Sequence, residues 1–264
     1  MSPESARIDS PTTPAVDGTR IAYQVRGEGP PLVLLAGQAN NHHWWDGIRE
    51  RFTGRRTITL DWRGVGDSDK PDGLYSTPVL AADVVAVLDA LGVDRADVYG
   101  TSMGGRVAQH LAIDHPDRVG RLVLGCTSPG GPNAVHRDPA VTRSLGGPGP
   151  EALRALLELM YTPRWLAENP GPYQVVGDER MTPVSRRGHL RASNRHDAWA
   201  ELPRVQAPTL ILHGSDDLMT PVANAELLHG LIRGSELAVL PGSRHAFFHE
   251  FADVVTPRVQ EFLG

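Results

Sequence analysis

The chain has 264 residues, 40% of them hydrophobic and 22% charged, with a formal net charge of −5. A chain of that size buries about three quarters of its unfolded surface, so it needs no disulfide or metal staple and fits one domain with room for an insertion. The acidic balance argues against nucleic-acid binding, which calls for clustered basic residues. No apolar run approaches the roughly 20 residues that span a bilayer, so no membrane partner is expected. The single Cys126 cannot close an internal bridge, which suits a reducing cytoplasm.

The opening "MSPESARIDSPTTP" has no apolar core, so it reads as neither signal peptide nor anchor, and residues 1–15 are expected to form a flexible tail. "RIAYQV" alternates after the turn pair Asp17-Gly18 and predicts a strand. "PLVLLAG" is a continuous apolar run, as a strand covered on both faces should be. "RTITLDWRG" predicts a further strand followed by a turn-rich loop. "STPVLAADVVAVLDALGV" predicts a helix capped by Ser76 or Thr77, with Leu80, Val84, Val87, Leu88 and Leu91 on one face and Gly92 ending it. "ADVYG", "RLVLG", "PTLILHG" and "ELAVL" predict strands, with helices over Met103 to His115, Ala223 to Ile232 and about Phe251 to Phe262. Strands alternating with helices predict an α/β fold, a mostly parallel central sheet with helices on both faces. The alternation stops over residues 127–204, where "PEALRALLELMYTPRWLAE" predicts one clear helix and shorter ones follow Pro183. That segment is expected to be a helical cap inserted into a core formed by residues 16–126 and 205–264.

"VYGTSMGGRVAQHLA" changes from strand to helix at Ser102, between Gly100 and Gly104. A tight turn there lifts the hydroxyl clear of the sheet, and glycines remove the Cβ atoms that would clash. Backbone N–H groups at the helix start stand ready to stabilise an oxyanion. This is the G-x-S-x-G elbow of a nucleophilic serine; its plain alternative is a serine N-cap in a glycine-rich turn. A nucleophile needs an acid and then a histidine later in the chain. "LILHGSDDLMTP" offers Asp216 and Asp217 past a strand, and "AVLPGSRHAFFHE" offers His245 past the next. Either aspartate could instead cap the helix near Pro221, and His245 could be a surface residue.

The loop "DWRGVGDSD", the elbow, "HGSDDLMTP" and "GSRHAFFHE" together resemble the α/β-hydrolase fold superfamily, and within it the capped serine esterase and lactonase group typified by 3-oxoadipate enol-lactonases. The likeness runs from about Val16 to the end. Its spacing G-x-x-D-x-x-x-P implies Asp217 rather than Asp216 as the catalytic acid, beside Ser102 and His245. It implies an oxyanion hole from the N–H groups of Gln38 and Met103, although Ala36-Gly37 stands where the group often has His-Gly. Trp45 matches a tryptophan behind the oxyanion loop, as core packing or pocket wall. The superfamily's dehalogenases and epoxide hydrolases carry an aspartate at the elbow, so Ser102 speaks against both.

The predicted cap helix carries Leu153, Leu156, Leu157 and Met160 at near-helical spacing, with Tyr161 and Trp165 beyond. Met160, Tyr161 and Trp165 are the candidate pocket walls. His42 and His43 are adjacent, which is not ligand spacing, so no metal and no cofactor is expected. Asp61, Arg63 and Asp67 read as structural. Arg186, Arg187, Arg191 and Arg195 form either a solvated helical face or a set that recognises an acidic substrate. The expected protein is a cytoplasmic, monomeric or homodimeric serine hydrolase cleaving a small carboxylic ester or lactone. A C–C bond hydrolase, a perhydrolase or a non-catalytic ligand receptor of the same fold are the alternatives.

Overall fold

A computed structural model describes residues 10–145 and 149–264. Eight strands form one sheet: β1 (Thr12–Pro14), β2 (Arg20–Arg26), β3 (Pro31–Leu35), β4 (Arg56–Leu60), β5 (Ala96–Thr101), β6 (Val119–Gly125), β7 (Thr209–Gly214) and β8 (Glu236–Leu240). Their order across the sheet is β1-β2-β4-β3-β5-β6-β7-β8. β1 and β2 pair antiparallel, as do β2 and β4, and every pairing from β4 through β3 to β8 is parallel. The central strands are buried along nearly their whole length, as their unbroken apolar runs require. The expected tail is corrected here: Thr12–Pro14 forms β1, with Thr13 paired to Ile21 across the Asp17-Gly18 turn. Residues 1–9 lie outside the described residues.

Helices α1 (Thr77–Ala90), α2 (Met103–Asp114) and α7 (Ala223–Leu231) pack with one face of the sheet, in a core that includes Leu80, Val84, Val107 and Leu228. Ser76 caps α1, its Oγ accepting from the Val79 N–H at 3.4 Å, a contact type that contributes about 1 kcal/mol. The opposite face is covered by the short α8 (Phe247–Glu250), by α9 (Ala252–Leu263) and by Trp44, Trp45 and Phe248. Helices on both faces complete the α/β architecture expected from the alternation.

Between β6 and β7 the described chain is helical: α3 (Pro139–Ser144), α4 (Pro150–Met160), α5 (Pro163–Glu168) and α6 (Pro183–Asn194). Its two ends meet at a neck, where Gly130 bridges Asp197, Ala198 N–H donates to Pro129 O and Gly131 N–H donates to His196 O. The single helix expected from Pro150 to Glu168 is divided. Tyr161 and Thr162 are extended and Pro163 starts α5, with Thr162 Oγ1 capping the Trp165 N–H. A proline disfavours helical backbone at the preceding residue and donates no N–H, so the break falls where Pro163 dictates.

Candidate active site

The elbow between β5 and α2 holds Ser102 at φ 55° and ψ −120°, a conformation that costs a non-glycine residue about 1–3 kcal/mol. The flanking glycines follow from close approach. A Cβ on Gly100 would lie 2.3 Å from Gly104 O, and one on Gly104 would lie 2.2 Å from Leu35 O. Ser102 is thus trapped between two backbone contacts that only glycine permits. Its N–H donates to Gly125 O, and its carbonyl accepts from the Thr127 hydroxyl. The cost of the strained serine is offset by these links to β6 and the segment after it.

His245 follows β8, and its Nδ1 lies 2.7 Å from Asp217 Oδ2. Asp217 follows β7 in a tight turn, where Oδ1 accepts from the N–H groups of Met219 (2.9 Å) and Thr220 (2.8 Å). Both residues are buried. Burial pushes the Asp217 carboxyl up, but the charge of His245 and hydrogen bonds from His213 and His245 outweigh it and hold the group well below the usual carboxylate range. An ionised Asp217 requires His245 to carry its proton on Nδ1, which frees Nε2 as an acceptor. Nε2 is buried and has no protein partner among the described residues. Asp216, by contrast, is exposed and takes a hydrogen bond from Ser215 Oγ.

Ser102 and His245 line one cavity of about 310 Å³ together with Gln38, Trp44, Met160 and Met219. No hydrogen bond joins the serine hydroxyl to His245 Nε2 among the described contacts; in free hydrolases this contact is commonly loose and tightens on substrate. The backbone N–H groups of Gln38 and Met103 donate to no described protein acceptor, and Met103 opens α2, where the first N–H groups have no partner within the helix. The loop carrying Gln38 is held from the helical insertion. Ala39, at φ 63°, donates to His189 Nδ1 (3.2 Å) and accepts from the Asp178 N–H (2.8 Å).

The structure does not bring every expected wall residue to this cavity. Met160 lines it, but Trp45 does not. Trp45 is fully buried against Tyr99 and Phe248, and its neighbour Trp44 is the wall, with Nε1 donating to Thr101 Oγ1 at 2.9 Å. The short 3-10 turn over His42–Trp45 decides which indole faces the cavity, and adjacent identical residues gave no signal for it. Tyr161 and Trp165 are also displaced from the expected position: they stack at 4.0 Å on each other and beside His249, fastening the insertion to α8. Their rings serve packing between the insertion and α8. Cys126 is buried and lies outside the cavity wall; burial and then the Asp217 charge push its thiol well above the usual range, which makes it a poor nucleophile.

Among the expected structural residues, Asp61 accepts from the His42 and Asp67 N–H groups and from His42 Nδ1, and Arg63 pairs with Asp83 at 2.6 Å. Three further residues that the sequence did not single out stand at the site. His213 Nε2 lies 2.8 Å from Thr220 O and 3.3 Å from Asp217 Oδ2. Arg106 and Arg137 line the cavity beside Ser102. Arg106 stands one turn beyond Ser102 on α2, where the sequence alone does not set it apart from other charged helix residues. Burial and neighbouring Arg137 pull its guanidinium down to about 10. Among the described residues, no group of three or more His, Cys, Asp and Glu side chains could hold a metal, and no helix is long and apolar enough to cross a membrane.

A strained serine at a glycine-bound elbow, beside a buried imidazole and carboxylate at the ends of a doubly covered parallel sheet, defines the hydrolase class of α/β proteins. The chain belongs to the alpha/beta hydrolase fold family, whose pattern matches residues 30–252. It is similar to the protein named "Putative carbamate hydrolase RutD" of Azorhizobium caulinodans, with 31% identity over 92% of this chain and 94% of that one. Among solved structures, an esterase from Exiguobacterium antarcticum superposes with a TM-score of 0.81 at 26% identity, covering 96% of this chain and 99% of that one. The enol-lactonase from Burkholderia xenovorans LB400 gives a TM-score of 0.81 at 25% identity over the same shares, 96% and 99%. The family and its esterase, lactonase and carbamate hydrolase relatives support hydrolase activity.

Proposed function

We propose that the protein is a cofactor-independent serine hydrolase that cleaves a carboxylic ester or lactone through an acyl-enzyme on Ser102. The observation that carries this is the buried Asp217–His245 pair, whose unpartnered Nε2 belongs to a residue lining the same cavity as the strained serine. Ser102 Oγ attacks the carbonyl carbon while His245 Nε2 takes its proton. The N–H groups of Gln38 and Met103 receive the tetrahedral oxyanion. Collapse expels the alkoxide, which takes the proton from His245; water then attacks the acyl-enzyme with His245 again as base. Asp217 stays ionised throughout and stabilises the imidazolium. The helical insertion over residues 127–204 acts as the cap that shapes the acyl site through Met160. In this account the protein works in the cytoplasm as a monomer or homodimer.

Carbamate hydrolysis and C–C cleavage of a vinylogous diketone call on the same three groups, so a panel of esters, lactones, carbamates and ring-cleavage diketones separates the reaction types. Turnover of esters or lactones is expected, and Ser102→Ala should lower kcat by about a millionfold if the three residues act as a unit. Preferred turnover of carbamates or diketones would overturn the ester assignment. Full activity in the alanine variant would overturn the nucleophile.

A further inference from the structure

Asn40 is a polar side chain that the elbow, the acid and the histidine leave unused. It is buried, and it lines the catalytic cavity beside Gln38 and Gly177. Its own N–H donates to Gly37 O at 3.3 Å, which closes a turn with Gln38 and Ala39 at its centre. Its Nδ2 donates back to Gln38 O at 2.8 Å, and its Oδ1 accepts from the Gly177 N–H at 3.0 Å. A carbonyl on one side and an N–H on the other leave the amide a single orientation. The position uses a donor and an acceptor together, and an ionised aspartate would supply the acceptor alone.

The turn needs such a hold. Ala39 sits at φ 63°, a left-handed conformation that a residue with a Cβ rarely adopts. Gly37 fixes the start of the turn against Trp44, since a Cβ there would lie 2.7 Å from the indole ring. Beyond Gly37 the turn is held from the insertion between β6 and β7. The Ala39 N–H donates to His189 Nδ1, Ala39 O accepts from the Asp178 N–H, and Asn40 ties Gln38 O to Gly177. Asp178 is itself pinned to the core, its Oδ2 accepting from the Gly66 N–H at 2.6 Å and from Asn41 Nδ2 at 3.2 Å. The backbone of Gln38 therefore has one end fixed at Gly37 and the other tied to the insertion.

We propose that Asn40 is a positioning residue for the oxyanion hole: it locks the Gln38 backbone so that the Gln38 N–H meets the developing oxyanion, and it takes its own bearing from Gly177 of the insertion. This rests on the proposed oxyanion role of Gln38 and adds what keeps that donor in place. Both ends of the Asn40 amide are committed to backbone, so it acts through Gln38 and not on the substrate. Preorganised donors favour a transition state because they need not turn at the moment of reaction. A loosened turn therefore costs rate and leaves binding of the ground state as it was. The insertion, through Gly177 and Asn40, then contributes to the chemistry as well as to the shape of the cavity.

The test reads turnover and transition-state binding together. Asn40→Ala should lower kcat for p-nitrophenyl acetate by about a hundredfold, the lower end of what loss of one oxyanion donor costs, with KM little changed. Methyl butyl ketone and trifluoromethyl butyl ketone separate the two kinds of binding, because only the fluorinated ketone adds to a serine hydroxyl as a tetrahedral oxyanion. The variant should bind the fluorinated ketone about a hundredfold more weakly and the parent ketone as the wild type does. End-point titration with a fluorophosphonate counts competent sites, so a loss of folded protein is not read as a loss of rate. Asn40→Asp keeps the acceptor for Gly177 but has no donor for Gln38 O, so it should do no better than alanine. Wild-type kinetics in either variant, or a kcat loss in Asn40→Ala with the fluorinated ketone bound as before, would overturn the role. Equal weakening of both ketones would overturn it too, since a collapsed cavity does the same. A wild type that cleaves esters while the variants match it removes the role of Asn40 alone. A wild type that neither cleaves an ester nor takes up the fluorinated ketone removes the hydrolase assignment as well.

Discussion

Asp217 carries two imidazoles on one carboxylate oxygen, His245 at 2.7 Å and His213 at 3.3 Å, while two backbone N–H groups hold the other oxygen. A carboxylate so placed has one rotamer and one charge state, which is what orienting a general base requires. Asp217→Asn should therefore lower kcat by about ten-thousandfold, since an amide leaves His245 in the wrong tautomer. Asp216→Asn should change it little, the Asp216 side chain being exposed. Parallel steady-state kinetics check the pair, and the reverse ranking would move the role to Asp216. At this scale the three residues of the site were legible because elbow, acid and histidine each follow a recognisable strand. The wall was less legible: Trp44 against Trp45 depends on the phase of a short turn, and Arg106 looked like any charged residue on a helix.

The helical insertion is fastened to the core by α6 as well as by the stacked Tyr161 and Trp165. His189 of α6 is buried, with Nδ1 accepting from Ala39 N–H and Nε2 donating to Arg63 O at 2.9 Å. One imidazole thus joins the insertion, the loop carrying Gln38 and the loop after β4, and it does so only when neutral. Burial pulls its pKa down to about 4, against a small opposing effect from the Arg63 carbonyl. The unfolded chain protonates this group near the ordinary histidine value of about 6.5. Between those values the unfolded state binds more protons, so stability is fully present above about pH 6.5 and falls as pH drops toward 4, by on the order of 3 kcal/mol from this group. His196 is buried and shifted the same way, so a single variant is needed to isolate His189. His189→Gln offers the same acceptor and donor without a titrating proton. Urea unfolding at pH 7.5 and 4.5 should show a smaller loss in the variant than in the wild type, and parallel losses would remove His189 as the cause. Helix periodicity located α6 only as a short helical stretch after Pro183, and it gave no sign of His189, because its partners lie about 126 and 150 residues away.

At the scale of the whole molecule, the parallel sheet places the ends of β5, β7 and β8 along one edge, with β6 between the first two, and Ser102, Asp217 and His245 follow those ends. Ligands bind at that edge in open α/β sheets. The insertion leaves after β6 and returns before β7, and Met160, Val175 and Arg137 from it help wall the cavity. This layout was legible from alternating strand and helix patterns, since each central strand is a short apolar run closed by glycine or a turn. How the insertion folds was not, because its Pro- and Gly-rich sequence sets breaks without setting directions. We propose Ser102 as the one nucleophile activated by this arrangement. A fluorophosphonate probe followed by peptide mapping tests it most directly. A single label is expected on Ser102, with turnover lost in proportion to labelling; labelling at another residue, or turnover that survives complete labelling of Ser102, would contradict Ser102 as the nucleophile.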